Sequence, residues 1–116
     1  MAVHKLEVYR RSEELLNKIY PALNNYPKFE KFSLVAEIKS AFYNLITNIA
    51  LADAVRSKRK TYLQEADAHL QVIKVLMKLS LRRRYISKGL YRDVDSELSQ
   101  VGKMLSAYIK ATVKPI

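Results

Sequence analysis

Histidine, the side chain best suited to moving protons near neutral pH, occurs only at His4 and His69. Glu65 and His69 stand four apart, so a helix carries both on one face and offers two metal ligands. A di-iron bundle needs Glu-x-x-His from each of two helices and two further glutamates. Neither that spacing nor a second copy is present, and a helix-stabilising pair is the simpler use of these two residues. No cysteine occurs, which excludes disulfides and thiolate zinc sites. HExxH, a glycine-rich phosphate loop and a Gly-x-Ser-x-Gly elbow are all missing. The expectation is a protein with no catalytic residue, no metal and no cofactor, and hence no enzyme.

Positive charge is what the residues do offer. Lys and Arg number 21 against 11 Asp and Glu, a formal net charge of +10 and a pI near 9.9. Such an excess suits a polyanion: RNA, DNA or an anionic membrane surface. One cluster is Arg56, Lys58, Arg59 and Lys60; a second is Arg82, Arg83 and Arg84, followed by Lys88 and Arg92. Cations at a helix C-terminus gain about 0.3–1 kcal/mol each, so the triple arginine also fits plain charge complementation. Lys58, Arg59 and Lys60 fall at a helix start, where the same dipole opposes them, and so point to a ligand. Lys74, Lys78 and Arg82 are spaced by four along one face. No acidic residue lies three or four positions from Lys74 or Lys78, which leaves that stripe suited to phosphate contacts. Tyr85 and Tyr91 flank the arginines, placed either to stack on bases or to pack at a helix end.

The elements that position these charges read as four helices. A length of 116 residues, 49% hydrophobic, fits one domain over residues 1–116. Only two glycines and three prolines punctuate it, which favours long helices over strands. The first helix is expected over about His4–Asn24, with Leu6, Tyr9, Leu16, Ile19, Tyr20 and Leu23 inward and Pro21 interrupting its last turn. The second follows Ser33 as N-cap to Arg56 on a stripe of Val35, Ile38, Phe42, Leu45, Ile49 and Ala52. The third spans Lys58–Arg84, with Ser57 as candidate cap and Leu63, Ala66, Leu70, Ile73 and Met77 inward. The fourth follows Ser87 to Thr112, burying Leu90, Val94, Leu98, Val101, Leu105, Tyr108 and Ile109. Gly102 inside it implies close approach by a neighbouring backbone. Short connections predict an all-α, antiparallel up-down-up-down bundle. Leu34, Ile46, Leu51, Val75, Leu79 and Met104 fall outside the stripes, as scattered surface apolar groups or as an oligomer interface. The most apolar stretch, Ala41 to Val55, is too short and polar to span a bilayer, and residues 1–14 carry no secretory h-region. A cytoplasmic protein without a membrane role is expected.

These residues resemble a family. The segment Leu-Asn-Asn-Tyr-Pro-Lys-Phe-Glu-Lys-Phe-Ser-Leu, Leu23 to Leu34, is similar to the Phe-Pro-Arg/Lys-x-x-Arg-Phe-Thr-Leu signature of accessory variability determinant proteins of diversity-generating retroelements. Leu63-Gln64-Glu65-Ala66-Asp67, with Leu70, Ile73, Lys74, Leu76, Met77, Lys78 and Leu79, resembles that family's LxEA…LxxLRxLLRLA run. Gln100-Val101-Gly102-Lys103-Met104-Leu105, then Tyr108 and Lys110, resembles EIGRMLGGWLK. Val35, Gln100 and Tyr108 depart from the family's glycine, glutamate and tryptophan. The resemblance implies a homopentameric barrel of four-helix bundles that binds nucleic acid. It also implies association with the retroelement's reverse transcriptase in mutagenic retrohoming. Lys74 and Lys78 fall on the family's two arginines in the third helix, which implies a binding role for them. Two rivals stand beside it: a four-helix bundle protein of ribosomal RNA intervening sequences, of whose Pro-Ser-Asn-Ile-Ala-Glu-Gly-like stretch Ile46–Ala52 keeps only part, and a protein-binding scaffold.

Overall fold

The structure is a computed structural model; it describes residues 3–112, with side chains from Glu7 onward. Four helices account for most of them: α1 (Val3–Leu23), α2 (Leu34–Ala54), α3 (Arg59–Arg82) and α4 (Lys88–Thr112). Two 3-10 turns, Lys28–Glu30 and Arg56–Lys58, complete the described elements, and no strand occurs among them. The expected boundaries fall within about two residues of these. His4 and Leu6 lie outside the described side chains.

The apolar periodicity explains the packing. Phe42, Leu45 and Ile49 of α2 and Leu63, Leu70 and Ile73 of α3 are fully enclosed, and these two helices pack most extensively. Val94, Leu98, Val101 and Leu105 bring α4 against α3, and α4 also returns to α1. The bundle measures 52 × 25 × 19 Å. On α1 the expected Leu16, Ile19 and Leu23 are buried, but Val8, Ser12 and Leu15, which the expected stripe left out, are enclosed as well, while Tyr9 and Tyr20 are only partly covered. Ser12 hid the pattern, because its polar side chain is solvated internally by the Val8 carbonyl at 2.7 Å. Ser80 on α3 repeats the device with the Leu76 carbonyl at 2.9 Å.

The helix ends correct two expectations and bear out a third. Ser33 occupies the N-cap of α2 without capping it; its hydroxyl donates instead to Glu30 Oε1. Ser57 lies inside the second 3-10 turn, and Lys58 is the residue preceding α3, with no side-chain cap. Ser87 does cap α4, accepting from the Leu90 amide at 3.1 Å. At Gly102 the near neighbour is not backbone: a Cβ there meets Leu70 Cδ2 at 3.4 Å, ordinary contact with a side chain.

α3 ends in a Schellman motif. The Tyr85 amide donates to the Ser80 carbonyl and the Arg84 amide to that of Leu81, both at 2.9 Å. Arg84 takes the left-handed position with φ 61°, where glycine is usual.

Candidate nucleic-acid interface

The nine cations expected to hold phosphate occupy three places on α3 and its ends. Lys74 and Lys78 lie along the groove between α3 and α4. Arg82, Arg83 and Arg84 are exposed at the end of α3, beside the turn to α4. Arg56, Lys58, Arg59 and Lys60 stand at the opposite end of α3, a helix of 24 residues, so about 36 Å of rise separates the two clusters.

Arg59, Arg83 and Lys74 have side-chain partners among the described residues. Arg59 Nε donates to the Ala52 carbonyl at 2.7 Å, and its Nη2 to that of Asp53 at 3.3 Å. A cation thus sits on the C-terminal carbonyls of α2, where the dipole favours it, although Arg59 itself opens α3. The unfavourable placement expected from its position in the sequence is therefore offset for this residue. Arg83 Nη1 reaches Glu30 Oε2 at 3.4 Å. Lys74 Nζ meets Ser99 Oγ at 3.2 Å. Lys78, Arg82, Arg84, Arg56, Lys58 and Lys60 are exposed. Among the described residues, no carboxylate comes within 4.0 Å of the Lys74, Lys78, Arg82 or Arg84 charge.

The groove holds more than the sequence pattern indicated. Opposite Lys74, α4 contributes Lys103 and Lys110 to a trough of about 550 Å³ that also includes Asp67 and Ser99. Lys103 and Lys110 are seven apart, two helical turns on one face, so helical spacing was the signal available for them. Acid is present too: Asp95 of α4 lines the neighbouring stretch with Lys74, Lys78 and Tyr91. Counting acids along α3 alone missed it, because the partner helix supplies it. At the other end, Arg56, Arg59 and Lys60 join Tyr108 and Thr112 around a depression of about 510 Å³.

The end bearing the arginines is held by a buried carboxylate. Glu30, 7% exposed, accepts from Ser33 and, at 2.8 Å, from the Tyr85 hydroxyl. The Ser33 and Tyr85 hydrogen bonds, with help from the Leu34 amide and the Arg83 charge, hold its carboxyl below the usual range. Tyr85 packs on Tyr26 with ring centroids 5.1 Å apart; burial first, and then the bond to Glu30, raise its phenol. It therefore takes the packing alternative and is not a platform for bases. The network ties the turn between α1 and α2 to the turn between α3 and α4.

Arg84 offers a test of what these cations are for. A left-handed conformation costs a residue with a Cβ about 1–2 kcal/mol, against glycine's extra folding entropy of about 0.5–1 kcal/mol. Arg84→Gly is expected to raise stability by about 0.5–1 kcal/mol in thermal unfolding. The same variant is expected to lower the log–log salt slope of polyanion binding by about 0.7–1. A variant neither more stable nor weaker in binding removes Arg84 from the interface.

Among the described residues, no three His, Cys, Asp or Glu side chains come together to hold a metal ion. No helix among them is long and apolar enough to cross a membrane.

Similar proteins bear on the scaffold. No curated protein matches the chain. A crystal structure of a protein of unknown function from the S23 ribosomal protein family, from Bacteroides thetaiotaomicron, superposes with a TM-score of 0.83. It covers 93% of this chain and 99% of its own, at 20% identity, a likeness of fold. Residues 6–112 match the bAvd-like family. That span runs through all four helices and both basic ends, and it agrees with the resemblance carried by the Tyr26–Leu34 turn and the third and fourth helices: the chain belongs to the bAvd-like family.

Proposed function

We propose that this protein is a non-catalytic, cytoplasmic accessory subunit that binds RNA or DNA and associates with a reverse transcriptase of a diversity-generating retroelement. The observation that carries the reading is the set of exposed cations along α3 and at its two ends, with Lys78, Arg82 and Arg84 lacking any carboxylate within 4.0 Å among the described residues. Binding is then electrostatic: phosphates displace bound counterions, and the bundle adds little sequence selectivity.

In this reading the single domain is an up-down-up-down bundle, and five copies close into a ring. Opposed register supports the first point: from Arg11–Glu97 to Lys18–Asp93 the number rises on α1 and falls on α4. An outward apolar stripe on α3 supports the second. Ala68, Val72, Val75 and Leu79 follow steps of four, three and four, and Val72 and Val75 are 44% and 59% exposed.

Fluorescence anisotropy of a labelled single strand, titrated with salt, tests the function. About five phosphates per site give a log–log slope near −3.5. Lys74→Glu with Lys78→Glu is expected to weaken binding at least about tenfold while oligomer mass and melting temperature hold. Affinity indifferent to salt overturns the reading. The S23 ribosomal protein family name of the structural neighbour favours a second reading, a bundle tied to ribosomal RNA intervening sequences. Co-purification with a reverse transcriptase encoded beside this gene separates the two.

A further inference from the structure

Phe29 and Phe32 are 77% and 86% exposed, the most exposed of the large apolar side chains. They lie three apart on the turn between α1 and α2, which is pinned by i→i+3 backbone bonds from Glu30 to Pro27, Lys31 to Lys28, and Ser33 to Glu30. Glu30 lies between them in sequence and points inward, fixed by Ser33, Tyr85 and Arg83. The turn is thus anchored from beneath while both rings stay in water.

Charge surrounds the rings. Lys28 and Lys31 are exposed in the same turn, and Lys31 Nζ stands 5.4 Å from the Phe32 centroid. Arg83, bonded to Glu30, brings the arginine end of α3 alongside. No other large apolar side chain from this turn, or from the turn between α3 and α4, is among those strongly exposed. The core of a protein interface is depleted in lysine, whereas Lys28 and Lys31 flank both rings here. Two separate rings among cations have the composition of a stacking platform for bases, with phosphates held alongside.

We infer that the Phe29–Phe32 turn is a site for unpaired nucleotides, the rings stacking on bases while Lys28, Lys31 and the adjacent arginines hold the flanking phosphates. The inference rests on the nucleic-acid reading above and adds a preference that charge alone does not supply: single strands over duplex. A blunt duplex offers phosphates but keeps its bases covered.

The test uses the full chain and three labelled probes at equal salt: a 12-mer oligo(dT), a blunt 12-base-pair duplex and inorganic polyphosphate. Phe29→Ala with Phe32→Ala removes no charge and no buried side chain. Stacking is worth about 1–3 kcal/mol per base, so with both rings removed oligo(dT) affinity is expected to fall at least about 30-fold. Duplex and polyphosphate are expected to change less than twofold, with the salt slope unaltered. Phe32→Trp supplies a second readout: oligo(dT) quenches its fluorescence and polyphosphate does not. An unchanged oligo(dT) affinity, or equal losses on all three probes, overturns the inference. Normal strand binding combined with lost capture of the reverse transcriptase assigns the rings to a protein partner and also overturns it. Wild-type protein that binds none of the probes defeats the nucleic-acid reading itself, a separate result.

Discussion

A chain carrying Val72→Lys and Val75→Lys is expected to run as a monomer and to bind long polyanions on the order of a hundredfold more weakly. These valines form the middle of the outward stripe on α3, 44% and 59% exposed. Covering a valine fully is worth about 1.5–3 kcal/mol. A lysine at the centre of such a contact brings a desolvation cost of several kcal/mol with no acidic partner. In the proposed ring every contact repeats the fault. Lysine is chosen over glutamate for the sign of its charge. Each chain rises from +10 to +12 (10 + 2), so a fall in affinity cannot come from weaker attraction per chain. It must come from lost multivalency, which multiplies affinity by about 10²–10⁴ when one ligand spans several copies. Light scattering on a sizing column reads the mass, and anisotropy with long and short strands reads the binding. The long strand should lose far more than the short one. A variant with wild-type mass takes the α3 stripe out of the assembly.

Phe42→Ala is the second large effect, and it falls on the fold. Phe42 is fully enclosed and heads the largest buried side chains. Removing such a ring costs about 3–5 kcal/mol in lost transfer energy and residual cavity. Against a typical total of about 5–15 kcal/mol, that leaves a marginal protein. For a domain of this size it corresponds to a fall in melting temperature of roughly 12–20 °C. Circular dichroism at fixed protein concentration measures it. A fall of less than about 5 °C would mean that α2 and α3 do not share the core described here. Binding measured below the transition should match wild type, since no cation is touched.

Much of this architecture could be read before any coordinates, and the failures have physical causes. The stripes of α2, α3 and α4 were legible because Phe42, Ile73 and Leu98 recur at helical spacing with polar residues between them. On α1 the reading kept Leu16, Ile19 and Leu23 but took Tyr9 and Tyr20 in place of Val8, Ser12 and Leu15, since the tyrosines are amphipathic and Ser12 conceals its polarity in a local bond. The cationic places were legible from composition; their partners were not. Arg59 reaching α2, Lys74 reaching Ser99 and Asp95 entering the groove all join residues on different elements. Periodicity within one helix carries no information about such pairs. Glu30 falls on an unspecified position of the signature and was not legible, because its burial depends on Tyr85, 55 positions away.

On the proposed nucleic-acid reading, the length of α3 has a consequence for the shape of the polyanion bound along it. Lys60 and Arg82 are 22 positions apart (82 − 60) on one unbroken helix, about 33 Å of rise. The pitch of B-form duplex is about 34–36 Å. A duplex laid lengthwise therefore completes almost one revolution between the two, and the same strand comes back to face the protein at each. One protomer would thus grip a duplex in phase at two points, and a hybrid wound to a different pitch would meet only one of them squarely.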